Sequence, residues 1–222
     1  MQQKTELVIF DWDGTLIDSQ ANIVQCLQWM IQDLDLPQRS ATELSNIIGL
    51  GLTEALNTLF PEFSQNDYQQ MVDRYRYHFF ASDPSFPFPG VETVLAELSG
   101  NGYLLAVATG KGRRGLEKAL DHTGFRSRFH TTRCADETRS KPHPLMLEEI
   151  LDELGVEPQG AVMIGDTEYD LQMANNAGIP ALGVSYGVHE RERLLQCEPV
   201  AVLDEIHALL DWLNGEKIAT SK

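Results

Sequence analysis

Residues 7–10 read Leu-Val-Ile-Phe, an unbroken run of strand-forming apolar side chains. The run stops at Asp11 and Asp13, two carboxylates one residue apart, with Gly14 and Thr15 behind them. Short apolar runs of this kind suit a parallel strand buried on both faces. A buried strand does not ordinarily end in paired acids, because like charges at that spacing raise each other's pKa and desolvating both is costly. A strand running into an Asp-Gly turn is the plain alternative, since both residues favour turns for backbone reasons. A divalent cation is the simplest way to offset the paired charge, and oxygen ligands at a strand's C-terminal end suit Mg2+.

Elsewhere the chain alternates apolar runs with amphipathic segments. Candidate strands are Leu7–Asp11, Leu104–Ala108, Ala161–Ile164 and Ala181–Val184, with weaker ones at Phe129–Arg133 and Val200–Leu203. Between them, Val91–Leu98, Arg114–His122, Leu145–Leu154 and Glu168–Ala177 read as helices, and three of these stop at Gly124, Gly155 and Gly178. Glycine there supplies the left-handed helix stop. The alternation predicts an α/β fold, a Rossmann-like parallel sheet covered on both faces. From about Ser19 to Ser82 the rhythm breaks into helical patterns alone: Ala21–Leu34, Leu44–Ile48, Leu52–Phe60 and Asp67–Phe80. The expected organisation is a core of residues 1–18 and 84–222 with an inserted all-helical cap over 19–83, closed by the stiff Pro84–Pro89 connector. The polar tail from Gly215 onward is expected to fray.

The 222 residues carry 33 acidic and 17 basic side chains, a net charge of -16. That balance argues against nucleic acid or an anionic membrane surface as partner. It also requires locally concentrated positive charge wherever a phosphate is to bind. Cys26, Cys134 and Cys197 lie far apart with no C-x-x-C pair. They make neither a disulfide framework nor a zinc site, so a cytoplasmic protein is expected. No signal peptide or membrane-spanning run is read from the sequence. Monomer and homodimer both remain open.

Three more signals follow predicted strands. Thr109-Gly110-Lys111-Gly112 offers a hydroxyl and glycine-flanked N–H groups, a pattern that suits an anion and equally an ordinary helix entry. In Ser140-Lys141-Pro142-His143-Pro144 the prolines stiffen the backbone and hold Lys141 ahead of a helix start. Gly165-Asp166-Thr167-Glu168-Tyr169-Asp170 repeats the opening pattern of an apolar strand ending in carboxylates. In open parallel sheets ligands bind beyond the strands' carboxyl ends. Asp11, Asp13, Thr109, Lys141, Asp166 and Asp170 would converge there, as acids, a cation, a hydroxyl and backbone donors suited to a metal-assisted phosphoryl site.

With these residues in order, the chain resembles the haloacid dehalogenase superfamily of phosphohydrolases. Asp11-x-Asp13-Gly14-Thr15, Thr109, Lys141 and Gly165-Asp166-Thr167-x-x-Asp170 match its four motifs, and the likeness extends over nearly the whole chain. The resemblance implies a helical cap and assigns roles. Asp11 would be the nucleophile that forms an aspartyl-phosphate, and Asp13 the general acid and then base. Trp12, Thr109, Gly110 and Lys141 would bind phosphate or neutralise its charge. Mg2+ would be held by Asp11, Asp166, Asp170 and the backbone carbonyl of Asp13. An acid at position 13 separates this chain from dehalogenases of the superfamily, which lack one and use no metal.

Thr109-Gly110-Lys111 and Lys141-Pro142-His143-Pro144-Leu145 are similar to the phosphoglycolate phosphatase-like subgroup. Two departures stand out: Gly110 replaces that group's Asn, and Trp12 puts a large side chain between the two acids. The expected function is a Mg2+-dependent phosphomonoester hydrolase acting on a small phosphorylated metabolite. A phosphosugar mutase of the β-phosphoglucomutase type shares the motifs and stays open. A phospho-accepting signalling or binding domain also uses acids, Thr and Lys on a parallel sheet, but places its acceptor Asp mid-chain. Gly49 in Gly49-Leu50-Gly51-Leu52, with Arg74 and Arg76 on the following helical segment, are the candidate substrate contacts from the cap, and Tyr75 and Tyr77 offer further donors beside them.

Overall fold

The computed structural model describes residues 5–82 and 85–215. In chain order these form β1 (Leu7–Phe10), β2 (Ile17–Asp18), α1 (Gln20–Asp33), α2 (Ala41–Asn46), α3 (Leu52–Leu59), α4 (Gln65–Ala81) and β3 (Phe86–Pro87). The chain continues as α5 (Val91–Gly100), β4 (Leu104–Thr109), α6 (Arg113–Thr123), β5 (Thr131–Cys134), α7 (Leu145–Leu154), β6 (Ala161–Gly165) and α8 (Glu168–Ala177). It ends with β7 (Ala181–Val184), α9 (Arg191–Leu195), β8 (Ala201–Leu203) and α10 (Ala208–Leu213).

Six strands form one parallel sheet in the order β5-β4-β1-β6-β7-β8. The first strand of the chain is therefore central, and strand order reverses on its two sides. The period-2 alternation of a strand divides its side chains between two cores. Val8, Phe10, Val107, Ile164, Leu182 and Val184 pack with α5 and α6 on one face. Leu7, Ile9, Ala106, Met163 and Ala181 pack with α7 and α8 on the other. The buried Val, Leu, Ile, Phe and Met side chains each stabilise the fold by about 1.5–3 kcal/mol, and the alanines by less.

All six expected strands are present, shifted by a residue or two at their ends. The weaker two begin late, at Thr131 and Ala201, because Phe129 packs its ring on the sheet core and Val200 is exposed. Helices α1–α4 gather around a separate cluster containing Ile23, Leu27, Met30, Leu44, Leu56, Phe60 and Met71. Ser40 and Ser64 start α2 and α4 with reciprocal capping boxes to Glu43 and Asp67. Two short strands, β2 and β3, were not anticipated. They pair antiparallel, Ile17 with Pro87 and Asp18 with Phe86, and so tie together the chain's entry into the helical block and its exit. Two-residue strands are too short to show a periodicity. The expected boundary at 83/84 and the tail beyond Gly215 lie outside the described residues.

Candidate active site

Register brings the acids together. Phe10 is level with Val107 of β4 and Ile164 of β6, and Asp11 N–H donates to the Ile164 carbonyl at 2.9 Å. Asp11, Thr109 and Asp166 thus leave adjacent strands at the same edge of the sheet. Asp170 follows in the first turn of α8, and Lys141 comes from the loop before α7. Asp11, Asp166 and Asp170 each offer an oxygen, and these oxygens all lie within 4.8 Å of one another. The three acids are at most 1% exposed.

Gly14 makes this packing possible. Its φ is +82°, and a Cβ there would stand 2.1 Å from Asp166 Oδ2. Asp166 is held by the Thr15 hydroxyl at 2.8 Å on one oxygen and the Val188 N–H at 2.9 Å on the other. Asp170 accepts from the Thr167 N–H and hydroxyl, at 3.1 and 2.7 Å, and from Lys141 Nζ at 2.6 Å.

Lys141 is fully buried and lies 2.6 Å from oxygens of both Asp11 and Asp170. Burial alone would lower its pKa, but the two carboxylates outweigh burial and raise it, so the ammonium is retained. Burial pushes Asp11 well up, against the pull of Lys141 and with Asp170 and Asp166 adding to the rise. Burial and the neighbouring Asp170 push Asp166 up to about 7, despite its two donors. Asp11 differs from the others in one respect. Apart from the Lys141 ammonium at 2.6 Å, no described residue donates a hydrogen bond to its buried oxygens.

Above Asp11 and Asp13 lies a cavity of about 370 Å3 between the sheet edge and the helical block. Ile23, Ile47, Ile48, Val72, Tyr75 and Phe79 line it from the block, while Gly110, Lys111 and Arg114 line it from the core. Burial and the nearby Asp13 hold the Tyr75 phenol well above its usual pKa, so it remains a donor. Gly49 lines the same space. A Cβ on Gly110 would meet the Gly49 and Leu50 carbonyls at 2.5 Å. The departure from Asn at position 110 therefore lets the block's loop close onto the core. Thr109 Oγ1 accepts from the Lys111 N–H at 3.1 Å, which leaves the hydroxyl proton to donate elsewhere.

The expected residues do not all converge. Trp12 shares the strand parity of Val8 and Phe10, so its indole is fully buried in the core, 6.3 Å from the Phe129 ring. Its side chain does not line the cavity above the acids and points to the core instead, so the structure does not bring it to the other expected phosphate contacts. Arg76 faces the cavity, but Arg74 does not. Val72, Tyr75, Arg76, Phe79 and Phe80 repeat at helical spacing on one side of α4, and Arg74 falls off that stripe. It pairs instead with Asp33 at 3.3 Å on an exposed surface. The Asp13 carboxylate stays apart from the acid trio and engages Ser19 and Lys111. Ser19 was not assigned a role from sequence, while Tyr75 was one of the expected donors and does line the cavity. Lys111 carried a visible signal, since it stood inside the motif beside Thr109.

A parallel sheet with acids at its switch point, a buried lysine and a helical block over the crevice defines a class of hydrolase. The chain belongs to the haloacid dehalogenase-like hydrolase family, whose profile matches residues 8–184. It is 35% identical over 217 residues to a protein of Dickeya dadantii named "Probable phosphatase IndB", covering 92% of this chain and 94% of that one. It is 30% identical over 210 residues to the phosphoglycolate phosphatase of Agrobacterium fabrum, covering 91% and 90%. A haloacid dehalogenase-like family hydrolase from Streptococcus pneumoniae superposes with a TM-score of 0.82 at 24% identity, over 94% of this chain and 98% of its own. The expectation of an enzyme of the haloacid dehalogenase-type phosphatase class stands. No helix among the described residues is long and apolar enough to cross a membrane.

Proposed function

We propose that this chain is a Mg2+-dependent phosphomonoester hydrolase that acts on a small phosphorylated metabolite through an aspartyl-phosphate on Asp11. One observation carries the reading: Asp11 is a buried carboxylate on the floor of a substrate-sized cavity, and among the described residues the Lys141 ammonium alone contacts its oxygens as a donor. Lys141 and a bound cation would hold that carboxylate ionised, and burial would leave it poorly solvated toward the cavity. A carboxylate nucleophile splits hydrolysis into two displacements at phosphorus. In the first, an Asp11 oxygen bonds to phosphorus while the ester P–O bond breaks. Asp13 gives its proton to the departing oxygen, then takes one from the water that releases phosphate. Thr109 and the Gly110 N–H hold phosphoryl oxygens, and Lys141 neutralises charge.

Three buried acids sharing a single ammonium leave an excess of negative charge, and their oxygens suit a hard cation. Asp11, Asp166 and Asp170, with the Asp13 carbonyl, would hold Mg2+, which would neutralise phosphoryl charge. The helical block, read as residues 19–83, acts as the cap that selects substrate. Phosphoglycolate is the first metabolite to try, because curated relatives carry that name. The cysteine usage suits a cytoplasmic location.

The direct test is hydrolysis of p-nitrophenyl phosphate with Mg2+. Turnover that EDTA abolishes and Mg2+ restores is expected, and EDTA-insensitive turnover would sink the metal assignment. A stability measurement tests the same site without catalysis. Asp166 titrates near 7 when folded and at 3.8 in the reference state. Between these values the metal-free folded chain binds the extra proton, so the contribution of Asp166 to stability is fully present at low pH and is lost as pH rises through 7. Saturating Mg2+ is expected to raise Tm by roughly 5–10 °C at pH 8, taking about 2.7 kcal/mol at a hundredfold excess over Kd. The shift should be far smaller at pH 5.5. Thermal melts at the two pH values check this, and an equal shift at both contradicts it.

A further inference from the structure

Asp13 is fastened by one oxygen. Oδ1 accepts from the Ser19 hydroxyl at 2.5 Å and lies 2.8 Å from Lys111 Nζ. No hydrogen bond from a described residue reaches Oδ2, and Asp13 lines the cavity in which the substrate would sit. The pair is largely removed from water, with side-chain exposures of 10% for Lys111 and 9% for Asp13. Lys111 has a second contact, on the opposite side of the crevice. Its ammonium rests 4.6 Å from the centroid of the Phe79 ring, and Tyr75 stacks on that ring at 5.9 Å and 18°. Both aromatics belong to α4. The ammonium is thus clamped between the core's second acid and the aromatic face of the helical block, where desolvation strengthens a cation–π contact.

We propose that Lys111 is a positioning residue for Asp13. It fixes Oδ1 so that Oδ2 carries the proton toward the leaving group, and Phe79 is the platform that holds the ammonium when the helical block covers the site. The inference rests on the reading of Asp13 as general acid. As the ester P–O bond breaks, its electron pair stays on the departing oxygen and the Oδ2 proton passes to that oxygen. Asp13 is left as a carboxylate facing Lys111, which keeps its own protons throughout. A lysine that only attracted the substrate's phosphate would act on every phosphate ester alike. A lysine that places the acid matters most where the leaving group needs a proton.

Two aryl phosphates of similar shape separate these roles. p-Nitrophenolate leaves without a proton at neutral pH, whereas the more basic phenolate needs one. The readout is the ratio of kcat/KM for p-nitrophenyl phosphate to that for phenyl phosphate, which reports only the steps through phosphoryl transfer to the enzyme. Asp13→Asn is expected to raise this ratio by roughly 100-fold, the scale of general acid catalysis. Lys111→Met should raise it by about 10-fold or more, Phe79→Leu should raise it by a smaller factor, and Lys111→Arg should bring it back toward the parent value. An unchanged ratio in Asp13→Asn overturns the general-acid reading itself. A raised ratio in Asp13→Asn with unchanged ratios in Lys111→Met and Phe79→Leu overturns the positioning role alone. Should Lys111→Met not fold, Phe79→Leu decides the question in the same terms.

Discussion

Asp11→Asn is expected to lower kcat/KM on p-nitrophenyl phosphate by roughly 10^4-fold or more, since removing a nucleophile removes the reaction path itself. The amide is nearly isosteric with the carboxylate, so the cavity and the sheet edge keep their shape. Stability should move the other way from activity. Asp11 is buried beside Asp166 and Asp170, and burial and their charges push its pKa up. An upward shift in an acid means that the ionised form is disfavoured where it stands. A neutral side chain at position 11 therefore relieves repulsion among the acids, and Lys141 keeps its contact with Asp170. Chemical denaturation in EDTA should find the variant at least as stable as the parent. Loss of activity together with loss of fold would instead mark Asp11 as structural.

Lys141→Met is expected to damage both properties. The methionine fills much of the space of the lysine stem but removes the ammonium lying between Asp11 and Asp170, 2.6 Å from each. Removing one partner of a buried ion pair costs about 3–5 kcal/mol, because the other charge is left uncompensated. For a chain of this length that corresponds to a fall in Tm of roughly 10 °C in EDTA. Mg2+ should recover part of the loss, since the cation adds positive charge to the same acids. Activity should not recover with it: removing a single charge-stabilising group costs about 10^2- to 10^3-fold in kcat. Lys141→Arg is not a rescue, because a wider guanidinium does not fit a fully buried site with two contacts this short. Thermal melts with and without Mg2+, beside turnover on p-nitrophenyl phosphate, check both halves of the expectation.

Much of this site was legible because its residues stand at strand ends. The apolar runs at Leu7, Leu104 and Ala161 identify parallel strands, and the polar residues that follow them must then share one edge of the sheet. That argument fixes neighbours without knowing any side-chain direction. Directions are where sequence reading failed. Trp12 sits between two acids in sequence but on the opposite face in space, because strand parity continues two residues past β1. Arg74 and Arg76 are two apart on a helix and so face different ways, one toward Asp33 and one toward the cavity. Phe79, with Tyr75 stacked on it, reaches Lys111 only through the packing of the helical block on the core, a long-range arrangement that no local spacing encodes. Gly110 shows the reverse: an apparent departure from a motif becomes a fitted contact once the Gly49–Leu50 loop is seen against it.

The central claim is that phosphate passes through a covalent bond to Asp11. Rapid acid quench of the enzyme during turnover of a phosphate-labelled substrate, followed by peptide mapping, tests it directly. Label on the peptide containing Asp11, present within the first turnover and absent from Asp11→Asn, is the predicted result. Full-rate hydrolysis with no labelled enzyme at any quench time, or label on a different residue, would contradict it.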